Sequence, residues 1–279
     1  MKNSILITGA SSGIGKEIAK TLAEEGYNVF AGVRKKSDKF ALEKLNKNIK
    51  GVYLDVTSQA SIDKAYWYIM KYTDKISAII NNAGIAVAGP MEFLPVDKIK
   101  EQFNVNTFGA VAVTQKFLPL MNEGKIINTS SIASTGIFPF LSPYCASKRA
   151  MDILFNAMHL EFKKPDIKIV SIQPGNIKTP IWEKSVKSNF DVLQTLSSEC
   201  IEKYSPEFRL LEKNAHKSNE NGLHPTAVAN LIVKILKMKN PKPCYTVGVD
   251  AFLVTLFAKL PQDVVNFLVK HVLSKRLIA

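Results

Sequence analysis

Tyr144 and Lys148 stand four residues apart in the stretch Tyr144-Cys145-Ala146-Ser147-Lys148, and no helix breaker follows for fifteen residues. On a helix this spacing puts both side chains on one face, about 5–6 Å apart at Cβ. An ammonium beside a phenol favours the phenolate, so it should draw the tyrosine down from its usual pKa of about 10. Such a pair can give a proton to a substrate oxygen and take it back. The same spacing also occurs on ordinary surface and core helices. Its meaning depends on whether the chain builds a site around it.

Other segments carry residues suited to such a site. Thr8-Gly9-Ala10-Ser11-Ser12-Gly13-Ile14-Gly15 joins a short aliphatic run to a helical pattern. Strand, glycine turn and helix N-terminus are the parts of a pyrophosphate site: glycine admits the backbone closely, and the helix end offers N–H groups and a positive dipole. Arg34-Lys35-Lys36 ends the second strand-like run. An acid there would bind a ribose 2′-hydroxyl, whereas arginine suits a 2′-phosphate, so NADP(H) is expected in preference to NAD(H). A merely solvated charge cluster is the alternative, and Ser11 or Ser12 could share the phosphate. Asn81-Asn82-Ala83-Gly84 and Ser130-Ser131 follow the fourth and fifth strand-like runs, on the sheet edge where ligands bind in doubly wound folds. Asn106 lies in an otherwise apolar helical stretch that disfavours asparagine. Either a kink with an ordered water or a bond to nearby backbone would explain it.

The elements that must position these groups alternate strand and helix along the chain. Strands are read at 5–7, 27–33, 51–54, 76–80, 125–129, 167–172 and 244–249. Helices are read at 39–48, after Ser58, from 96 to about 121, from Tyr144, and from Pro225 to about Met238. The pattern predicts an α/β, Rossmann-like, doubly wound and seven-stranded parallel sheet with helices on both faces. Residues 1–279 read as one domain, with a partly helical substrate lid at about 176–223. A C-terminal helical extension follows at about 251–279, its two apolar stripes broken by Pro261.

Composition narrows the function classes. The net charge is +13 with a pI near 9.5, but the lysines are scattered and form no long basic run, so no nucleic-acid partner is expected. Three widely spaced cysteines form no metal or CxxC pattern, which points to free thiols and a cytoplasmic setting without a metal. No signal peptide is read at the N-terminus. The apolar tail could lie on a membrane. Folding over the substrate pocket or a subunit interface is the preferred reading.

The motifs taken together resemble the short-chain dehydrogenase/reductase family, motif by motif from Lys2 to Thr179 and more loosely beyond. Asn106, Ser131, Tyr144 and Lys148 match its catalytic tetrad, with the serine thirteen residues before the tyrosine. Cys145 stands where serine is frequent. The resemblance implies hydride transfer between a nicotinamide and an alcohol/carbonyl pair. In that scheme Tyr144 is the acid/base, Lys148 lowers its pKa and holds the nicotinamide ribose, Ser131 stabilises the reacting oxygen, and Asn106 holds a relay water. It assigns the cofactor to Gly9, Ser11, Ser12, Gly13, Ile14, Gly15, Arg34, Asp55, Val56, Asn82, Ala83, Gly84, Tyr144, Lys148, Pro174, Gly175, Ile177 and Thr179. The tail around Tyr245 to Asp250 is most similar to the retinol and hydroxysteroid dehydrogenase branch, which implies a bulky apolar, steroid-, retinoid- or lipid-like substrate. Ser131, Ile137, Phe138, Tyr144 and Trp182 would contact it. A homodimer or homotetramer is implied as well. A regulator that senses NADP(H) without turnover is the alternative class, and the intact tetrad speaks against it.

Overall fold

In the computed structural model, which describes residues 3–164, 166–181 and 198–278, the strands are β1 (Ser4–Ile7), β2 (Asn28–Val33), β3 (Ile49–Tyr53), β4 (Ala78–Asn81), β5 (Gly124–Thr129), β6 (Ile167–Pro174) and β7 (Cys244–Val247). They form one sheet in the order β3-β2-β1-β4-β5-β6-β7, with every pair parallel. The strand order reverses between β1 and β4, which opens a crevice at their carboxyl ends.

Alternation along the strands divides the core into two layers. Ile5, Ile7, Ile80, Ile127 and Val170 face one layer, where they meet Ile18 and Leu22 of α1 (Gly13–Glu24) and Ile232 of a later helix, Thr226–Lys237. Leu6, Ile79, Ile126 and Ile169 face the other, against α3 (Gln59–Met70), α5 (Gly109–Phe117) and α6 (Ser142–Glu161). A parallel sheet covered on both faces requires this continuous aliphatic content. Ser58 caps α3 as its sequence suggests, its side chain accepting from the Ser61 N–H.

Several boundaries differ from the sequence expectation, among them β3 (Ile49–Tyr53 rather than 51–54), β4 (Ala78–Asn81 rather than 76–80) and β7 (Cys244–Val247 rather than 244–249). Helix α2 spans Lys36–Glu43 rather than 39–48, because Asn46 turns the chain by accepting from the Asn48 N–H at 2.9 Å. Strand β6 runs on through Pro174, paired with Val247. The long helix expected from 96 to 121 is α4 (Val96–Phe103), a π-helical turn (Asn104–Phe108) and α5. At Gly109 a Cβ would lie 2.7 Å from Val56 Cγ2, so the chain passes close to the end of β3 where the helix is widened.

Beyond β6 the chain makes a bridge between Ile177 and Leu223, so the intervening segment leaves and returns at one place. Its described helix, α7 (Ser198–Asn221), is kinked at Tyr204, ahead of Pro206. Helices α8 (Thr226–Lys237), α9 (Val249–Phe257) and α10 (Gln262–Ile278) follow, with Pro261 between the last two.

Candidate active site

The turn after β1 is shaped for close approach. Gly9 has φ +66°, and a Cβ there would lie 2.7 Å from Ala83 Cα; both the left-handed backbone and the packing require glycine. At Gly15 a Cβ would collide with Asn82 Nδ2 and Gly9 O. Asn82 ties the two strand ends together, donating to Thr8 O and Gly9 O at 3.1 Å each, while Thr8 Oγ1 accepts from the Asn82 and Ala83 N–H groups at 3.0 Å each. Helix α1 starts at this turn with no acidic residue in its first turn, leaving the positive end of its dipole un-neutralised by the helix itself.

The cleft that opens here has a volume of about 370 Å³. It runs from Arg34 and Asp55 past the glycine turn to Ser131, Tyr144 and Lys148. Every residue expected to hold the cofactor lines it: Gly9, Ser11, Ser12, Gly13, Ile14, Gly15, Arg34, Asp55, Val56, Asn82, Ala83, Gly84, Tyr144, Lys148, Pro174, Gly175, Ile177 and Thr179. Burial raises the Asp55 carboxyl, but hydrogen bonds from Thr57 and the nearby Arg34 charge outweigh it, and the net shift is downward. The glycine cradle and the helix N-terminus fit the phosphates of a dinucleotide.

At the other end, α6 places Tyr144 and Lys148 on its buried face. Lys148 Nζ donates to Thr129 O at 2.7 Å and lies 5.9 Å from the centre of the Tyr144 ring. Ser131 is hydrogen-bonded to Tyr144, and its Oγ accepts from the Ala133 N–H at 3.1 Å. Here the expected electrostatics is overturned. Burial pushes the Tyr144 phenol up to about 12, against the lowering effect of Ser131. Burial also pushes the Lys148 ammonium down to about 8, against the raising effect of Asp152. Desolvation is the largest effect on both groups.

Asn106 does not line the cleft. It is fully buried behind it and cross-links two segments: its Oδ1 accepts from Ile85 N–H at 2.8 Å, and its Nδ2 donates to Ile85 O at 2.9 Å and Ser147 Oγ at 3.0 Å. Of the two alternatives, the side chain does bond to backbone, across a tertiary contact. A Cβ on Gly84 would lie 3.4 Å from Asn106 Oδ1 and 3.5 Å from Lys148 Nζ, so the three positions converge.

Substrate-side residues separate. Phe138 packs against the buried cluster of Ala86, Ala133 and Tyr144, whereas Ile137 is half exposed, and neither lines the cleft. Trp182 lies outside the described residues. Phe140 has a left-handed φ of 65°, a strained conformation for an aromatic residue. Its ring meets Tyr204 of α7 at 5.9 Å, and Tyr204 meets Phe93 at 6.2 Å. Ala86 and Val87 line the cleft without having been singled out in the sequence; small apolar residues in a loop give no signal there. Asp152 was missed too. It is buried, and accepts from Ser130 Oγ and Ser171 Oγ at 2.9 Å each and from Gln173 Nε2 at 3.2 Å.

By sequence the chain is similar to known proteins. The family model described as short chain dehydrogenase matches residues 3–189. An NADPH-dependent 3-dehydrocapnine reductase of Ornithobacterium rhinotracheale is 34% identical over 87% of this chain and 87% of its own length. A 3-ketodihydrosphingosine reductase of Bacteroides thetaiotaomicron is 32% identical over 94% of this chain and 95% of its own. Estradiol 17-beta-dehydrogenase 2 of Mus musculus is 32% identical over 96% of this chain and 74% of its own length.

Proposed function

Because the chain belongs to the short-chain dehydrogenase/reductase family, with hydroxysteroid dehydrogenase-like relatives, and is an oxidoreductase of a carbonyl–hydroxyl pair, we propose that it is an NADPH-dependent ketoreductase for a lipid-like substrate. The observation that carries this reading is the buried Tyr144 beside the partly exposed Ser131 in the wall of the cleft that the glycine turn opens. Glycine turn, Arg34, Ser11 and Ser12 hold the dinucleotide phosphates, and Asp55 with Val56 flanks the adenine. Asn82, Ala83 and Gly84 line the ribose side, and Pro174, Gly175, Ile177 and Thr179 the nicotinamide.

When bound, the reduced nicotinamide supplies the hydride. Ser131 donates a hydrogen bond to the carbonyl oxygen as negative charge grows on it. Tyr144 delivers the proton to that oxygen, completing the hydroxyl. A phenol pushed up to about 12 is fully protonated at neutral pH, which is the state that reduction requires. Lys148, still largely charged at neutral pH, can then share the negative charge left on Tyr144. Asn106 holds the Ile85 backbone against α6, and so fixes the wall between cofactor and substrate.

Two relatives bear the names of 3-dehydro- and 3-keto-compound reductases, and the first is named NADPH-dependent; both support the cofactor and the reductive direction. An apolar substrate is supported by Ala86, Val87 and Ile181 in the cleft wall. The aromatic contact of Tyr204 with Phe93 and Phe140 supports a lid at about 176–223, closing over the substrate end of one catalytic domain. Exposed Phe108, Ile153, Leu154 and Leu160, on the helices carrying Asn106 and Tyr144, support homo-oligomerisation through that face. Cys145, Cys200 and Cys244 form no disulfide among the described residues, which fits a reducing cytoplasm. The test is Tyr144→Phe: NADPH binding, followed by fluorescence, should persist while reduction across a panel of long-chain keto lipids, steroids and small ketones is abolished. Normal turnover by the variant would refute the assignment.

A further inference from the structure

Helices α9 and α10 carry an outward-facing apolar stripe. In α9, Ala251 is fully buried, and Val254 packs at the Gly136 turn, where a Cβ would lie 3.0 Å from its Cγ1. Phe252, Leu253, Leu256 and Phe257 fall on the opposite side at helical spacing, all exposed, with Phe252 62% exposed. Phe267 of α10 is 70% exposed. Contiguous apolar surface of this kind marks an interaction site. The sequence from 251 to 279 also carries Lys259, Lys270, Lys275 and Arg276 against one acid, Asp263.

We propose that α9 and α10 dock on the anionic surface of a lipid bilayer, which would seat the substrate end of the cleft at the membrane. Charge selects this occupant over a second copy of the chain. Self-pairing of the stripe would bring like-charged tails together, whereas anionic headgroups complement them and the bilayer takes up the aromatic side chains. Among the described residues no helix is long and apolar enough to cross a membrane, so the element lies on the surface. Position supports the same occupant. The inner face of α9 packs at the turn following Ser131, and Asp250 at its start accepts from the Asn176 N–H at 2.6 Å, next to Gly175 in the cleft wall. A substrate leaving the bilayer would meet the cleft without crossing water. The proposal extends the lipid-substrate reading, but its test needs no substrate.

The experiment is flotation of the full chain with vesicles of phosphatidylglycerol and phosphatidylcholine, or of phosphatidylcholine alone, in low and high salt. The chain should float with the anionic vesicles, and less so in high salt. The combined variant Phe252→Ser, Leu256→Ser, Phe257→Ser should lose partitioning on the order of 100-fold, with NADPH affinity and melting temperature unchanged. Flotation equal on both vesicle types, or unaffected by the substitutions, would overturn the proposal. So would a wild-type chain that ignores vesicles but self-associates through the stripe, seen as a mass change in sedimentation equilibrium that the variant abolishes. If flotation succeeds while no ketone is reduced, the docking surface stands and the substrate reading falls.

Discussion

Lys148→Met should make the protein more stable while removing its activity. Lys148 is 3% exposed, and its pKa falls from 10.5 to about 8. That difference, about 2.5 units, corresponds to roughly 3 kcal/mol at 1.36 kcal/mol per unit, and it measures what keeping the ammonium charged inside the fold costs at neutral pH. Methionine removes that cost and retains most of the packing. It also removes the 2.7 Å hydrogen bond from the charged ammonium to Thr129 O, a loss of about 1.5–3 kcal/mol. A net gain of up to about 2 kcal/mol remains, which is a rise of up to a few degrees in melting temperature for a chain of this size. The sign with pH is fixed as well. Between about 8 and 10.5 the unfolded lysine binds a proton that the folded one has released, so wild-type stability should gain from this group as pH rises through that window. Tyr144, with its raised pKa, begins to withdraw stability only above about 10. The advantage of the variant should therefore be largest below pH 8 and shrink towards pH 10. Urea denaturation of both proteins at several pH values measures it. A variant less stable than wild type at pH 7, or an advantage independent of pH, would refute the argument that desolvation dominates this site.

Two further perturbations separate the remaining groups. Arg34→Asp removes the exposed cation at the end of β2 and sets a second carboxylate beside Asp55; NADPH should bind about 10- to 100-fold more weakly, the worth of a charge-assisted hydrogen bond, while NADH binding holds or improves, as read by fluorescence titration. Asp152→Asn removes the charge that raises the Lys148 pKa and disturbs three buried hydrogen bonds; the alkaline limb of kcat/KM should move to lower pH, whereas a purely structural role would lower only the melting temperature.

What the sequence discloses about this site depends on whether a property is local. The turn at Gly9 to Gly15 and the spacing of Tyr144 and Lys148 are local, and the structure puts both in one cleft. The sheet is nearly local, because aliphatic residues on both faces of short runs demand cover on both sides, and all seven strands appear. The π-helical turn is not local. Asn106 reads only as a misfit in an apolar helix, and its reason is Ile85, brought up by a different strand end. Asp152 reads as one more acid on a helix, since nothing nearby reveals that Ser130, Ser171 and Gln173 will surround it. Ile137 shows the converse: an apolar loop residue reads as pocket wall, yet half of it meets solvent. The phenol's pKa is the most instructive case. Spacing gives Tyr144 a cationic neighbour and predicts a fall, but the helix face that joins the pair also removes both from water. Desolvation acts on each group separately and is the largest effect on both. A site built this way keeps its phenol protonated, a consequence of burial that only the assembled fold determines.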